Sequence, residues 1–274
     1  MRRLVTALAL AASAAAAGAS PSASTNALSA APFEALVFDV QRFGNTPEKK
    51  AAKEAAKVEL TRRGTNSLQV LMGYAHVENA GLQMYTQELV DRLKPEDSAP
   101  VLVEFLNSDK ARTRKMAAYY LGLHETPRYA DKILPLLRDD EACGAAIRTL
   151  GKWKVKTAAG AISPFVADKK ELRRIVAINA LKEIGDPAAA GVLIAALDDP
   201  YFTVREAAQA ALVALGTAVE RPVLEAMPSA QGRQRRHLIR LLGHYDSWRA
   251  KRALKRYAQS DDADVRPEAR DAVR

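Results

Sequence analysis

Apolar and polar positions follow a helical period along most of this chain. The pattern is clearest from Asp186 to Gly216, DPAAAGVLIAALDDPYFTVREAAQAALVALG. Val192, Leu193 and Leu197 give a first short helix its apolar face. Asp186-Pro187 opens that helix, since proline forfeits no hydrogen bond at an early helical position. Asp198, Asp199 and Pro200 break it and supply caps for a second helix. Val204, Ala207, Ala208, Ala211, Leu212 and Leu215 then recur at i, i+3, i+4 spacing. Gly216 suits the left-handed residue just past a helix end. Two helices this short cannot bury their apolar faces alone, so the pair needs neighbours of its own kind.

The chain supplies them. Residues that end a second helix fall at Gly64, Lys94, Gly122, Gly151, Gly185, Gly216 and Gly243, about 30 residues apart. Four residues before these stand Leu60, Val90, Ala118, Ile147, Leu181, Leu212 and Ile239. Pro100, Pro135, Pro164, Gly191, Pro222 and Arg252 keep a matching register in the first turns of the first helices. Asp109, Asp139, Asp168, Asp198 and Asp261 mark the turns between helices. The pattern predicts an all-α fold, an α-solenoid of about seven helix–turn–helix repeats. The first repeat carries Glu59 and Arg63 at apolar positions, and with the short helix Phe33–Phe43 it reads as a cap with a polar outer face.

The stretch GDPAAAGVLIAALDDPYFTVREAAQAALVALG resembles the HEAT repeat, in the short form found in phycobilisome-lyase-type proteins. The resemblance covers Pro95 to Arg274 well and Thr46 to Lys94 more weakly. It implies that the turn aspartate and the Val-Arg arginine pair between neighbouring repeats. Asp199 with Arg205, and Asp168 with Arg174, match those positions and read as structural. It speaks to architecture and hardly at all to activity.

The first residues follow another logic. Met1-Arg2-Arg3 is cationic, Leu4 to Ala17 is apolar, and Ala17-Gly18-Ala19 offers a small-residue cleavage site. This is the order of a secretory signal peptide. The expected division is a signal peptide over 1–19, a disordered linker over 20–32, an N-terminal cap with degenerate repeats over 33–94, and the HEAT-like array over 95–274. Cleavage is expected after Ala19 or Ala23, leaving the mature chain periplasmic or secreted. The apolar run is too short and alanine-rich for the ~20 residues of a membrane span, so no span is expected after cleavage.

Charge and chemistry refine this picture. The net charge of +9 points to an anionic partner. The one cysteine, Cys143, excludes an intrachain disulfide and a CxxC metal site, and its apolar surroundings read as a buried inert thiol. The chain holds no G-x-S-x-G, H-E-x-x-H, Walker or G-x-G-x-x-G motif. Its four histidines, His76, His124, His237 and His244, are scattered. No catalytic residue, metal or cofactor is therefore expected. The acid pairs Asp139-Asp140, Asp198-Asp199 and Asp261-Asp262 recur at turns and read as helix caps.

Positions three, seven and ten before each marker share one face of a second helix. That face carries the candidate partner-binding residues Arg112, Lys115, Tyr119, Arg148, Lys182, Arg233, Arg236 and Arg240, with Glu141, Ile175, Ile178, Glu206, Gln209 and Val213 on the same stripe. In a HEAT-like stack the second helices line the concave surface. The leading expectation is an exported, non-catalytic scaffold binding another protein or an anionic envelope polymer on that surface. A bland alternative is a solvated polar face with no ligand. A second functional reading is a basic solenoid binding nucleic acid, since HEAT-like DNA glycosylases for alkylated bases are also small and basic. Export opposes it, and that family's catalytic residues find no counterpart here. A bilin-type lyase is implied by the resemblance alone. Finally, Trp153 and Trp248 each sit in a cationic inter-repeat loop. Such a pairing serves nucleic-acid stacking, but is expected here to be a Trp covering the core edge under cationic stems.

Overall fold

The computed structural model describes residues 29–41, 46–260 and 266–273. The expected signal peptide, most of the expected linker, and Asp261, read above as a turn marker, lie outside the described residues. The chain divides after Thr126 into two units, and among the described residues every regular element is helical.

The first unit contains α1 (Phe33–Gln41), α2 (Pro47–Arg63), α3 (Thr65–Gly73), α4 (Ala80–Arg92), α5 (Pro95–Glu104) and α6 (Ala111–Leu121). Thr46 caps α2 through Lys49 N at 3.4 Å, and Asn79 caps α4 through Leu82 N at 2.9 Å. Leu60, Leu68, Met72, Leu89, Leu102 and Leu121 lie fully buried where these helices meet. Glu59 and Arg63 do not face outward. Glu59 is buried and accepts from Arg62 Nε and Arg63 Nε, each at 2.8 Å. Arg63 lies over the Phe33 ring, 4.7 Å from its centroid, and donates to the carbonyl of Ala31 at 2.7 Å. The ion pair therefore clasps the segment entering α1. The hydrogen bond from Arg62 holds the Glu59 carboxyl at about 2, against the pull of burial.

The second unit contains α7 (Ala130–Ile133), α8 (Cys143–Lys152), α9 (Ala159–Ile162), α10 (Glu171–Ile184), α11 (Ala190–Ala196), α12 (Phe202–Leu215), α13 (Glu220–Ala226), α14 (Gly232–His244), α15 (Trp248–Ala258) and α16 (Arg266–Val273). Helices α8, α10, α12, α14 and α16 are the second helices, and each packs on the next. Small residues allow this closeness: Ala146, Ala180 and Ala211 are all buried. Each unit is a stack of helix pairs of the all-α solenoid kind. The first helices depart from expectation. Pro135 and Pro164 do not open helices but sit in 3₁₀ turns, Leu134–Arg138 and Ser163–Ala167, that finish them. Proline cannot donate to the preceding turn, and the tighter spiral accommodates it.

The glycines serve two different purposes. Gly185 ends α10 in the left-handed region, at φ 72°. Gly151 is no cap: α8 runs through it to Lys152. A Cβ on Gly151 would stand 2.7 Å from the Ala180 Cα of α10, so the position is a close approach between neighbouring second helices.

Asp139, Asp168 and Asp199 do not cap helices as expected: they accept from backbone N–H groups at 2.8–3.0 Å within the turns ahead of α8, α10 and α12, short of the residues that begin those helices. At Asp109 the neighbouring Ser108 hydroxyl accepts from Lys110 N instead, and Asp198 gives way to Asp199. The arginines extend this pattern. Arg114, Arg174, Arg205 and Arg266 each donate to the carbonyl oxygen six residues earlier, at 2.7–2.9 Å. Arg174 also spans two repeats, reaching both carboxylate oxygens of Asp199 at 3.0 and 2.8 Å. The inter-repeat partner of Asp199 is thus Arg174, whereas Arg205 holds the Asp199 carbonyl. The Asp168 carboxylate pairs with Arg173 at 3.1 Å.

Candidate interaction face

The candidate residues fall into two sets, one in each unit. In the first unit, Arg112 and Lys115 on α6 are half-buried. Arg112 is bound to Glu78 at 2.7 Å, and Tyr119 donates to Gln87 at 3.1 Å while its ring meets Tyr120 edge-on. These side chains join α6 to the preceding helices and are largely occupied. An open cavity of about 430 Å³ lies nearby, lined by Lys53, Lys57, Met84, Gln87 and Asp91 among others. It carries mixed charge and no convergent chemistry.

In the second unit the same helical positions are freer. Arg148 on α8, Lys182 on α10, and Arg236 and Arg240 on α14 pair with no carboxylate among the described residues. Arg233 has only a loose contact with Asp198, at 3.7 Å. Two stripe positions are not on the exposed face. Ile178 is fully buried, because α8 and α12 close over that side of α10. Glu141 precedes α8, which starts only at Cys143.

One partner of this face escaped sequence reading. His237 is buried under α14, with Nδ1 2.5 Å from Gln209 Oε1 of α12. Burial holds its imidazole below the ordinary 6.5, Arg240 adds to that, and Glu206 opposes it. The folded state thus resists a proton that the unfolded chain accepts, so stability is complete above the unfolded value and declines as pH falls through about 6.5. The expected result is a drop in urea midpoint between about pH 7.5 and about pH 5.5, smaller in a His237→Gln chain. His124 of the first unit is also depressed, by burial first, and accounts for the part that remains.

His124 Nε2 lies 3.0 Å from Ser98 Oγ, a nucleophile-like contact. Ser98 has no exposed surface, however, and its hydroxyl also bonds the Lys94 carbonyl of its own helix. The pair ties α5 to the turn after α6. Cys143 is buried, with burial pushing its thiol upward. Among the described residues no group of three or more His, Cys, Asp and Glu side chains is placed to hold a metal ion. No described helix is long and apolar enough to cross a membrane.

Comparison with known proteins agrees on architecture. The family model for HEAT repeats matches residues 139–213. No curated protein matches the chain. Among solved structures, an engineered protein is similar at 17% identity and TM-score 0.46, covering 97% of this chain and 82% of that one. The complex of CpcE and CpcF of phycocyanin lyase from Nostoc sp. PCC7120 is similar at 16% identity and TM-score 0.41, covering 88% and 93%. Human deoxyhypusine hydroxylase in complex with glycerol is similar at 16% identity and TM-score 0.35, covering 88% and 94%. At these scores the three carry no argument, and the architecture rests on the helices themselves and the HEAT-repeat match. Over residues 139–213 the matched helix pairs and their spacing are those of HEAT repeats.

Proposed function

We propose that the protein is an exported, non-catalytic scaffold whose second-helix face, in the unit from Pro127 to Arg274, holds an anionic partner. The partner is an acidic protein surface or an anionic envelope polymer. The observation that carries the reading is the set of cations Arg148, Lys182, Arg236 and Arg240, which repeat on one helical face without carboxylate partners among the described residues. Cations left unpaired on neighbouring helices sum their fields over a shared surface and raise the local concentration of anions. The apolar middle of the stripe, half-buried Ile175 and Val213, adds contact area for a folded partner. Export rests on the order of charge, apolar run and small residues from Met1 to Ala19.

Two measurements test the parts separately. The R148E/K182E/R240E chain elutes from phosphocellulose at clearly lower salt than the natural chain, because fewer counterions are exchanged. Elution at unchanged salt would refute the face. The intact mass of the protein recovered from a Gram-negative periplasm lacks the residues before Ser20 or Ser24. Recovery of a chain that retains Arg2, confined to the cytoplasm, would refute export and return nucleic acid as the anion to test.

A further inference from the structure

Helix α15, WRAKRALKRYA, holds five cations and no acid. Its Ala250 and Leu254 are buried against the unit, which turns Arg249, Lys251, Arg252, Lys255 and Arg256 to solvent. Lys251 pairs with Asp246, and the other four meet no carboxylate among the described residues. The acids that follow in sequence, Asp261, Asp262 and Asp264, come after the helix.

The tryptophan at its start is also exposed. The two Trp loops, alike in sequence, diverge in structure. Trp153 is 8% exposed and covers the core edge as expected, whereas Trp248 is 67% exposed. Its one aromatic contact is with Arg249, 5.4 Å from the ring centroid. A large apolar ring left in water at the end of a cationic helix calls for a surface that is anionic and partly apolar at once.

We propose that α15 is a docking surface for an anionic phospholipid bilayer, with its cations on lipid phosphates and Trp248 entering at headgroup depth. Three features favour a bilayer over nucleic acid. The cations spread over the outer side of a single first helix, which can lie flat on a plane. Tryptophan is the side chain favoured at the membrane–water boundary. A single-strand site needs a groove with successive stacking aromatics, and α15 offers one Trp and no groove. The proposal is independent of the second-helix face, since α15 is a first helix and shares no residue with it.

The test uses Trp248 as its own reporter. In the full chain carrying W153F, Trp248 is the only tryptophan. Its emission shifts to the blue with vesicles of phosphatidylcholine and phosphatidylglycerol in equal parts, and stays unchanged with phosphatidylcholine alone. Each cation near an anionic leaflet adds roughly fivefold in affinity, so K251E/R252E/R256E weakens binding by roughly 100-fold or more. Should W153F fail to fold, co-sedimentation of the natural chain is compared with that of W248A, which binds the same anionic vesicles more weakly. The proposal is overturned by an unshifted Trp248, by equal binding to neutral vesicles, or by duplex DNA displacing the vesicles through the same three cations at the same salt.

Discussion

Asp199→Ala lowers the stability of the unit from Pro127 to Arg274 by ~3–5 kcal/mol, while Asp198→Ala, one residue away, changes it by less than ~0.5 kcal/mol. The difference follows from what each carboxylate touches. Asp199 receives the Arg174 guanidinium, and the two side chains are only 9% and 10% exposed. It also accepts from Tyr201 N at 2.9 Å and so closes the turn that leads into α12. Its removal leaves a buried arginine without its carboxylate and opens the turn ahead of α12 together. Asp198 is 62% exposed and meets Arg233 at 3.7 Å, where water and salt screen the pair. Asp199→Asn keeps an oxygen for the turn but loses the charge, and falls between the two. In a unit of this size ~3–5 kcal/mol corresponds to roughly 10 °C in unfolding midpoint. Urea unfolding checks the series, with an Arg174→Ala, Asp199→Ala cycle to isolate the coupling. Equal effects at the two aspartates would remove the inter-repeat pair from the account.

Gly151→Ala destabilises by ~1–3 kcal/mol, although the same change inside a helix ordinarily gains ~0.5–1 kcal/mol. The sign reverses because of the neighbour. An added Cβ would stand 2.7 Å from the Ala180 Cα and 2.8 Å from its Cβ. Ala180 lies in the middle of α10, so relief requires moving a helix backbone and not a side chain. Ala180→Gly therefore fails to restore the loss, since the Cα itself obstructs. Gly144 lies on the same helix with nothing within 4 Å of its would-be Cβ, and Gly144→Ala is neutral or stabilising. Thermal unfolding of the three variants decides the matter. A gain at Gly151 would mean that α8 and α10 lie farther apart.

The period and the apolar register were legible because they are local: Val204, Ala208, Ala211 and Leu212 are all buried as their spacing requires. What could not be read depends on the neighbouring repeat. Gly151 and Gly185 occupy equivalent positions in sequence, yet one is a close approach and the other a left-handed cap. Adjacent aspartates look alike until the arginine of the previous repeat selects Asp199. Ile178 shares a helical face with Lys182, and packing by α8 and α12 on either side of α10 decides that it is covered. Glu59 and Arg63 read in sequence as a polar outer surface, but the segment entering α1 folds over Arg63 and the pair is held inside. The candidate face was legible to the same degree. Its cations follow from spacing, whereas Arg112 turns out to be held by Glu78 and Gln209 by His237.

The second-helix face is tested most directly by arginine footprinting. The natural chain is treated with phenylglyoxal, with and without long-chain polyphosphate, and modification is mapped peptide by peptide. Arg148, Arg236 and Arg240 become protected together, while Arg221, exposed on α13 and paired with Glu225, reacts at an unchanged rate. Unchanged reaction at Arg148 and Arg240 under saturating polyphosphate would contradict the account.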